Sequence, residues 1–316
     1  MLPGPVKSGI APWVRPKDLN IKEILNMRCD SADVKQLLAR WDYDPDAVDT
    51  YGRAMEAAMG NPEARAVLEH TVSVYEAGSE VDIRTVLAEM DSFAAACGES
   101  SYTMRMLPYL CLLEPARMKY AAAGLEEGIY HDSFADLLWK TRECHRLYGV
   151  WGSFVAVWFY RFFALQCFAL GRLQFERAAF KADAPLGRGE QVINVHIPSS
   201  GPLRTDQCQD SYDRAAAFFG YEHRETVPFV CDSWLLHPLC QGLEEGTGIR
   251  RFAADYKLLY TIDDPSCADL WIIFGRAWNG VPSALPEDTA LQRIFKARLL
   301  SGGSVGRGYG LYLRKA

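Results

Sequence analysis

Strand-like alternation is missing from the first half of this chain and begins only at Leu173. Before that point apolar residues recur every three to four positions, which is the period of one helix face. Ile21, Ile24, Leu25 and Arg28 follow this spacing, and Ser31 stands as an N-cap before Val34, Leu37 and Leu38. Asp44-Pro45 and Asn61-Pro62 have the form of helix starts, because proline fits the first turn and Asp or Asn can cap it. From Asp82 to Cys97 the residues Ile83, Val86, Leu87 and Met90 fall on one face. The chain from Asn20 to about Ala123 therefore reads as all-helical, and a boundary near Gly124–Gly128 divides it into 1–124 and 125–316.

The chain has 316 residues, 49% hydrophobic and 23% charged, enough for two domains with ordinary cores. Its net charge of −6 argues against a nucleic-acid partner, since phosphate binding needs a basic face. The 9 cysteines are scattered and never spaced C-x-x-C, the usage of buried thiols in a reducing cytosol. Met1–Pro16 holds four prolines and no apolar core of a secretory signal. These features predict a cytoplasmic protein. Trp151–Leu170 is almost wholly apolar, but Arg161 interrupts it, at a cost of about 3 kcal/mol in a bilayer centre. It reads as a buried helix around which the second domain packs, with no membrane partner.

Beyond Asp132–Tyr148, a further helix, the pattern changes. Leu173–Phe180 and Gln191–Ile197 alternate with period two. In the second run Ile193, Val195 and Ile197 share one face, and Val192, Asn194 and His196 the other. A helix opened by Thr205 runs to Phe219, with Gly220 as its stop. Phe229–Leu236, Leu270–Phe274 and Tyr309–Leu313 read as strands, and Thr289–Leu300 as a helix. The order is helices, then β, β, α, β, a helical connection, β, α, β, which is an α+β sheet domain.

The chemistry concentrates where Gln191–Ile197 meets the following helix. The loop Pro198-Ser-Ser-Gly-Pro-Leu-Arg204 leads into a helix N-terminus, whose free N–H groups and partial positive charge suit a pyrophosphate. Ser199, Ser200 and Gly201 allow close approach, and Arg204 adds charge; an ordinary β–α turn would look the same. Asp232, Ser233 and His237 follow on the next strand and its exit, and His196 ends the first. Each has a structural reading as well: a packing histidine, a carboxylate paired with arginine, a loop residue. Cys231 with His237 is a weaker nucleophile–base pair. His237-x-x-Cys240 lacks a second pair at zinc spacing. The glycine-rich run Gly302–Gly310 precedes a strand rather than a helix, so it reads as a turn and not a phosphate loop.

Several longer runs occur in a known order: GRLQFE at Gly171–Glu176, VHIPSSGPL at Val195–Leu203, CDSWLLHPLC at Cys231–Cys240, Gly248–Phe252, and Leu285–Leu313. By these runs the chain resembles bacterial acyltransferase-domain proteins with an all-helical N-terminal domain and a GNAT-like C-terminal domain. The resemblance implies an acyl-CoA-dependent N-acyltransferase with a mixed sheet. Acetyl-CoA or another acyl-CoA would lie in a V-shaped gap between Gln191–Ile197 and Phe229–Leu236. Backbone near Val195 and Ile197 would bind the pantetheine. Ser199, Ser200, Gly201, Leu203, Arg204 and Thr205 would surround the pyrophosphate. A small amine would attack the thioester, with Asp232, His237, Ser233 and His196 as candidates for proton transfer. No metal is implied, and a homodimer is compatible with the sequence. The loop departs from the GNAT pattern Gln/Arg-x-x-Gly-x-Gly/Ala, matching only at Gly201. That departure motivates two alternatives, a CoA- or ligand-binding protein without turnover and a protein-interaction module.

Overall fold

A computed structural model of the chain describes residues 31–221 and 223–315. The helical spacing of Ile21 to Arg28 lies outside the described residues, as do Met1–Pro16 and Cys29. The chain forms two compact units. The first runs up to His131 and takes in Lys140–Cys144 and Val150–Ala164. The second comprises Asp132–Trp139, His145–Gly149 and the chain from Leu165 onward.

The first unit is helical. Its helices are α1 (Ser31–Arg40), α2 (Pro45–Gly60), α3 (Pro62–Glu76), α4 (Ile83–Phe93), α5 (Ser101–Met104) and α6 (Leu107–Ala122), followed by α7 (Glu127–Tyr148), which supplies residues to both units. The start expected at Asn61-Pro62 is capped, Asn61 accepting hydrogen bonds from the N–H groups of Glu63 and Ala64. Asp82, at the head of a run read only as helical, accepts one from Thr85. Asp44 precedes α2 without a side-chain cap bond. Ile83, Val86, Leu87 and Met90 are all buried on one face of α4.

The apolar stretch from Trp151 is not the continuous helix its composition suggests. It holds a 3-10 turn (Ala156–Phe159), one short helix, α8 (Tyr160–Phe163), and then a strand. The reason lies in its carbonyl groups. Tyr109, Tyr120 and Tyr75 donate their hydroxyls to the carbonyls of Ala156, Phe162 and Phe163, and Thr103 donates to Trp151. Side chains of the helical unit thus replace helix hydrogen bonds, and Leu165 at φ 56° ends the helical path. Among the described residues, no helix is long and apolar enough to cross a membrane.

The second unit is a mixed sheet with flanking helices, the α+β class that the sequence predicts. Its strands are β1 (Cys167–Leu170), β2 (Leu173–Ala179), β3 (Gln191–His196), β4 (Thr226–Ser233), β5 (Lys257–Asp263) and β6 (Gly306–Lys315), in the order β1-β2-β3-β4-β6-β5. Helix α9 (Thr205–Phe218) connects β3 to β4, which is the parallel pair of the sheet; its other described pairings are antiparallel. Helices α10 (Gly248–Ala254), α11 (Leu270–Phe274) and α12 (Ala290–Leu300) complete the unit. One sheet face packs Phe175, Phe229 and Tyr312 against Tyr212 of α9. The other buries Val192, Val230, Tyr309 and Leu311 with Phe180.

Four sequence expectations change. Leu270–Phe274 is α11, not a strand. Asp269 stands at its N-cap and Gly275, at φ 63°, ends it, so a short apolar run between those residues folds as a single helical turn. The connection expected to be helical contains β5, a half-exposed edge strand whose alternation is interrupted by a bulge between Leu258 and Tyr260. β4 runs from Thr226 to Ser233 rather than from Phe229 to Leu236, because Ser233 caps a 3-10 turn at Trp234–Leu236 and leaves the ladder there. The N-cap of α9 is Arg204, one residue before Thr205, and it makes no side-chain cap bond.

Candidate active site

The parallel strands β3 and β4 stay together for a very short distance. Ile193 pairs with Phe229 and Asn194 with Val230, and the register goes no further along either strand. Val195 and His196 on one side, and Cys231 and Asp232 on the other, thus line two diverging edges. Each edge strand is held from behind, β3 by β2 and β4 by β6. The backbone groups freed by this divergence are available to a ligand placed between them.

β3 leads directly to the loop and α9. Gly201 sits at φ 141°, a conformation that favours glycine, with open space where a side chain would project. Arg172, in the turn between β1 and β2, organises this loop. Its guanidinium donates to the carbonyls of Pro198, Gly201 and Pro202. Its own backbone N–H donates to Ser211 Oγ on α9, at 2.7 Å. Three loop carbonyls are thereby occupied by one cation. The loop runs directly into the first N–H groups of α9. Ser199, Ser200, Gly201, Arg204 and Thr205 are exposed and Leu203 is half-buried. Arg204 lies 3.5 Å from Asp206 and so offsets the carboxylate in the first turn.

Beside the loop opens a cleft of about 510 Å³. Its walls include Asp132, Asp136 and Trp139 of α7, Gln174 of β2, Pro198 and Ser200 of the loop, and Gln207 of α9. Gln174 is 2% exposed and is the cross-strand neighbour of His196. The cleft floor thus reaches the end of β3.

His196 is not isolated. Its Nε2 lies 2.9 Å from Glu176 Oε1 on β2 and 3.1 Å from Asn194 Nδ2, and Asn194 also donates to Glu176 Oε1 at 3.0 Å. This polar group lies on the sheet face opposite α9. In the tautomer protonated at Nε2, His196 donates to Glu176 and carries its lone pair on Nδ1. Cys167 on β1 pairs with Glu176, and its thiol belongs to the same cluster.

Asp232 projects from the same sheet face at the end of β4. Arg307 Nε lies 2.8 Å from Oδ1 as an ion pair outside hydrogen-bond geometry, and Lys181 Nζ lies 3.6 Å from Oδ2. Ser233 and His237 have structural partners. Ser233 Oγ accepts from Leu235 N–H, and His237 Nδ1 accepts from Leu239 N–H, each capping a 3-10 turn. His237 is buried against Phe295, and that burial holds its pKa below the usual histidine value. Burial likewise pushes the Cys231 thiol far up, which removes it as a ready nucleophile. The structure therefore places Val195 and His196 at the end of β3 beside the loop residues, Asp232 at the end of the parting strand β4, and Ser233 and His237 at the exit of β4.

Comparison with known proteins identifies both halves of the chain. Residues 32–165 match the model of the N-acyltransferase N-terminal domain, and residues 167–312 that of the GNAT-like C-terminal domain. The chain carries an N-acyltransferase N-terminal domain followed by a GNAT-like C-terminal domain. Among solved structures, the chain resembles an acyltransferase in complex with decanoyl-CoA and teicoplanin, with TM-score 0.70 and 21% identity over 90% of this chain and 88% of the other. It resembles equally an acyltransferase in complex with CoA and 10C-teicoplanin, with TM-score 0.70 and 23% identity over 89% and 87% of the two chains. Among curated proteins none matches it in sequence.

Sequence reasoning missed Arg172, Glu176, Gln174 and Cys167 in this GNAT-like domain. Glu176 was visible as a polar position of an alternating strand. Its partnership with a histidine 20 positions away is set by strand register, which spacing does not reveal.

Proposed function

We propose that this protein is an acyl-CoA-dependent N-acyltransferase that moves an acyl group to a small amine acceptor by direct attack on the thioester. The observation that carries the reading is the parting of β3 from β4 beside a loop whose carbonyls are tied back by Arg172, with a histidine–carboxylate pair on the rim. The thioester lies in the gap, with the backbone of Val195 and Ile197 against the pantetheine. The pyrophosphate lies on Ser199, Ser200, Gly201 and Leu203 and on the first turn of α9 at Arg204 and Thr205, where N–H donors and the helix dipole favour an anion.

The amine nitrogen attacks the thioester carbonyl while backbone donors stabilise the oxyanion. His196 Nδ1 takes the amine proton, and Glu176 stabilises the imidazolium through Nε2. The C–S bond then breaks, the amide forms, and the CoA thiolate leaves and takes up a proton. Asp232 holds Lys181 and Arg307 at the far edge of the gap. Ser233 and His237 shape the exit of β4.

The related structures hold decanoyl-CoA and CoA, so decanoyl-CoA is the first donor to test. Thermal unfolding is measured with decanoyl-CoA, acetyl-CoA and free CoA, and thiol release is followed over a panel of amines. A ligand at 100 times its Kd stabilises by about 2.7 kcal/mol. Stabilisation together with amine-dependent thiol release is the expected result. Stabilisation without release would identify a CoA-binding protein that does not turn over. No stabilisation by any CoA would leave the interaction module.

A further inference from the structure

We propose that Cys167, Glu176 and His196 form a zinc-class cation site in which metal binding shuts off the histidine–carboxylate pair. The inhibition rests on the acyltransferase reading; the binding of metal does not.

The three side chains come from three adjacent strands. Cys167 is paired with Glu176 across β1 and β2, and Glu176 with Asn194 across β2 and β3, two residues before His196. Backbone register therefore fixes where the side chains start. The thiol sulfur, a carboxylate oxygen and a ring nitrogen all lie within 4.8 Å of one another, and the Glu176–His196 separation is 2.9 Å. A tetrahedral zinc ion with ligand bonds of about 2.0–2.3 Å spaces its donors about 3.5 Å apart, between those two distances. Small side-chain rotations suffice, and the backbone need not move.

The chemistry of the donor set fits as well. Thiolate, imidazole and carboxylate are the ligand types that zinc accepts, and three protein ligands leave a fourth position for water. On binding, the Cys167 S–H bond breaks, a sulfur–metal bond forms, and the proton passes to solvent. One thiolate and one carboxylate then cancel the charge of a dication, which lowers the cost of holding it in a low-dielectric place. Cys167 is fully buried, whereas the Glu176 and His196 side chains are 18% and 20% exposed, which gives the ion its way in. Spacing concealed the site, because positions 167, 176 and 196 follow no zinc motif and meet only through register.

A cation held there occupies Glu176 and a nitrogen of His196, so the base loses its partner and its freedom to accept a proton. Cobalt(II) reports the site, since a thiolate ligand gives a sulfur-to-cobalt charge-transfer absorption. The full chain titrated with cobalt is expected to develop this band at one equivalent. Cys167→Ser and His196→Ala lose it, and Cys97→Ser, at a half-buried thiol elsewhere, keeps it. Absence of the band in the unaltered chain, or its persistence in Cys167→Ser, overturns the site. In the acyl-transfer assay zinc is expected to inhibit, a chelator to restore the rate, and Cys167→Ser to remain active in the presence of zinc. Equal inhibition of both chains overturns the inhibitory role. A protein with no acyl transfer at all would still give or fail to give the cobalt band, so the two readings fail separately.

Discussion

At the scale of single residues, His196 and His237 illustrate opposite uses of one side chain. His196 ends β3 with a carboxylate and an amide on Nε2 and stands at the rim of the gap. His196→Ala is expected to lower kcat by about 10²–10⁴-fold, the usual worth of a general base, with the CoA-induced thermal shift retained. Glu176→Gln is expected to lose less, because the ring remains. Steady-state kinetics beside CoA titration separates the two effects; a parallel loss of CoA binding would place His196 in the cofactor site instead. His237 is buried and capped on Leu239, and its folded pKa lies below the ordinary histidine value. The unfolded chain protonates this residue near pH 6.5 while the folded chain does not. Between the unfolded value and the lower folded one, the unfolded state binds more protons, so stability falls as pH drops through that window. His237→Asn removes this titration and is expected to flatten the decline in melting temperature below about pH 6.5. An unchanged slope would show that other groups dominate it.

At the scale of elements, the β3–loop–α9 unit depends on a residue outside it. Arg172 binds three loop carbonyls, and Gly201 needs a backbone conformation that favours glycine. Arg172→Ala is expected to weaken CoA binding about tenfold or more, since a charge-assisted hydrogen bond contributes about 1.5–3 kcal/mol. Calorimetric titration with CoA checks this, and an unaltered Kd would remove Arg172 from the loop's ordering. The glycine-rich run before β6 has a different physical basis. A β-carbon on Gly308 would stand 2.6 Å from the Leu236 carbonyl, and one on Gly306 would run into the carbonyl of Ile262. These glycines let neighbouring backbone approach β6, where the sequence showed only a turn leading into a strand.

At the scale of the molecule, the division of the chain cuts through α7. Asp132–Trp139 belongs to the sheet unit, and Ser133 Oγ accepts the N–H of Ala169 on β1 at 2.9 Å. We therefore propose that the second domain begins at 125. A chain of residues 125–316 keeps this bond and the α7 wall of the cleft; residues 165–316 lose both. The loss of a buried hydrogen bond, about 1 kcal/mol, corresponds to about 2–4 °C in a domain of this size. The shorter chain is expected to melt lower by at least that amount and to lose the CoA-induced shift. Equal melting of the two chains would move the boundary to residue 165.

The sequence by itself determined the helical first half, the capped start at Asn61, and the strand–loop–helix unit around Gly201, because these depend on local period, capping and backbone conformation. Its longest apolar stretch misled, since buried tyrosines in helices far away in sequence take its carbonyls. The five residues of α11 misled as well, because so short a run carries no period. Only the tertiary structure decided which polar residues act together. Glu176 meets His196 and Cys167 through strand register, and Arg172 meets the loop from the turn between β1 and β2. Such meetings are set by how strands align in a sheet, and no spacing along the chain encodes them.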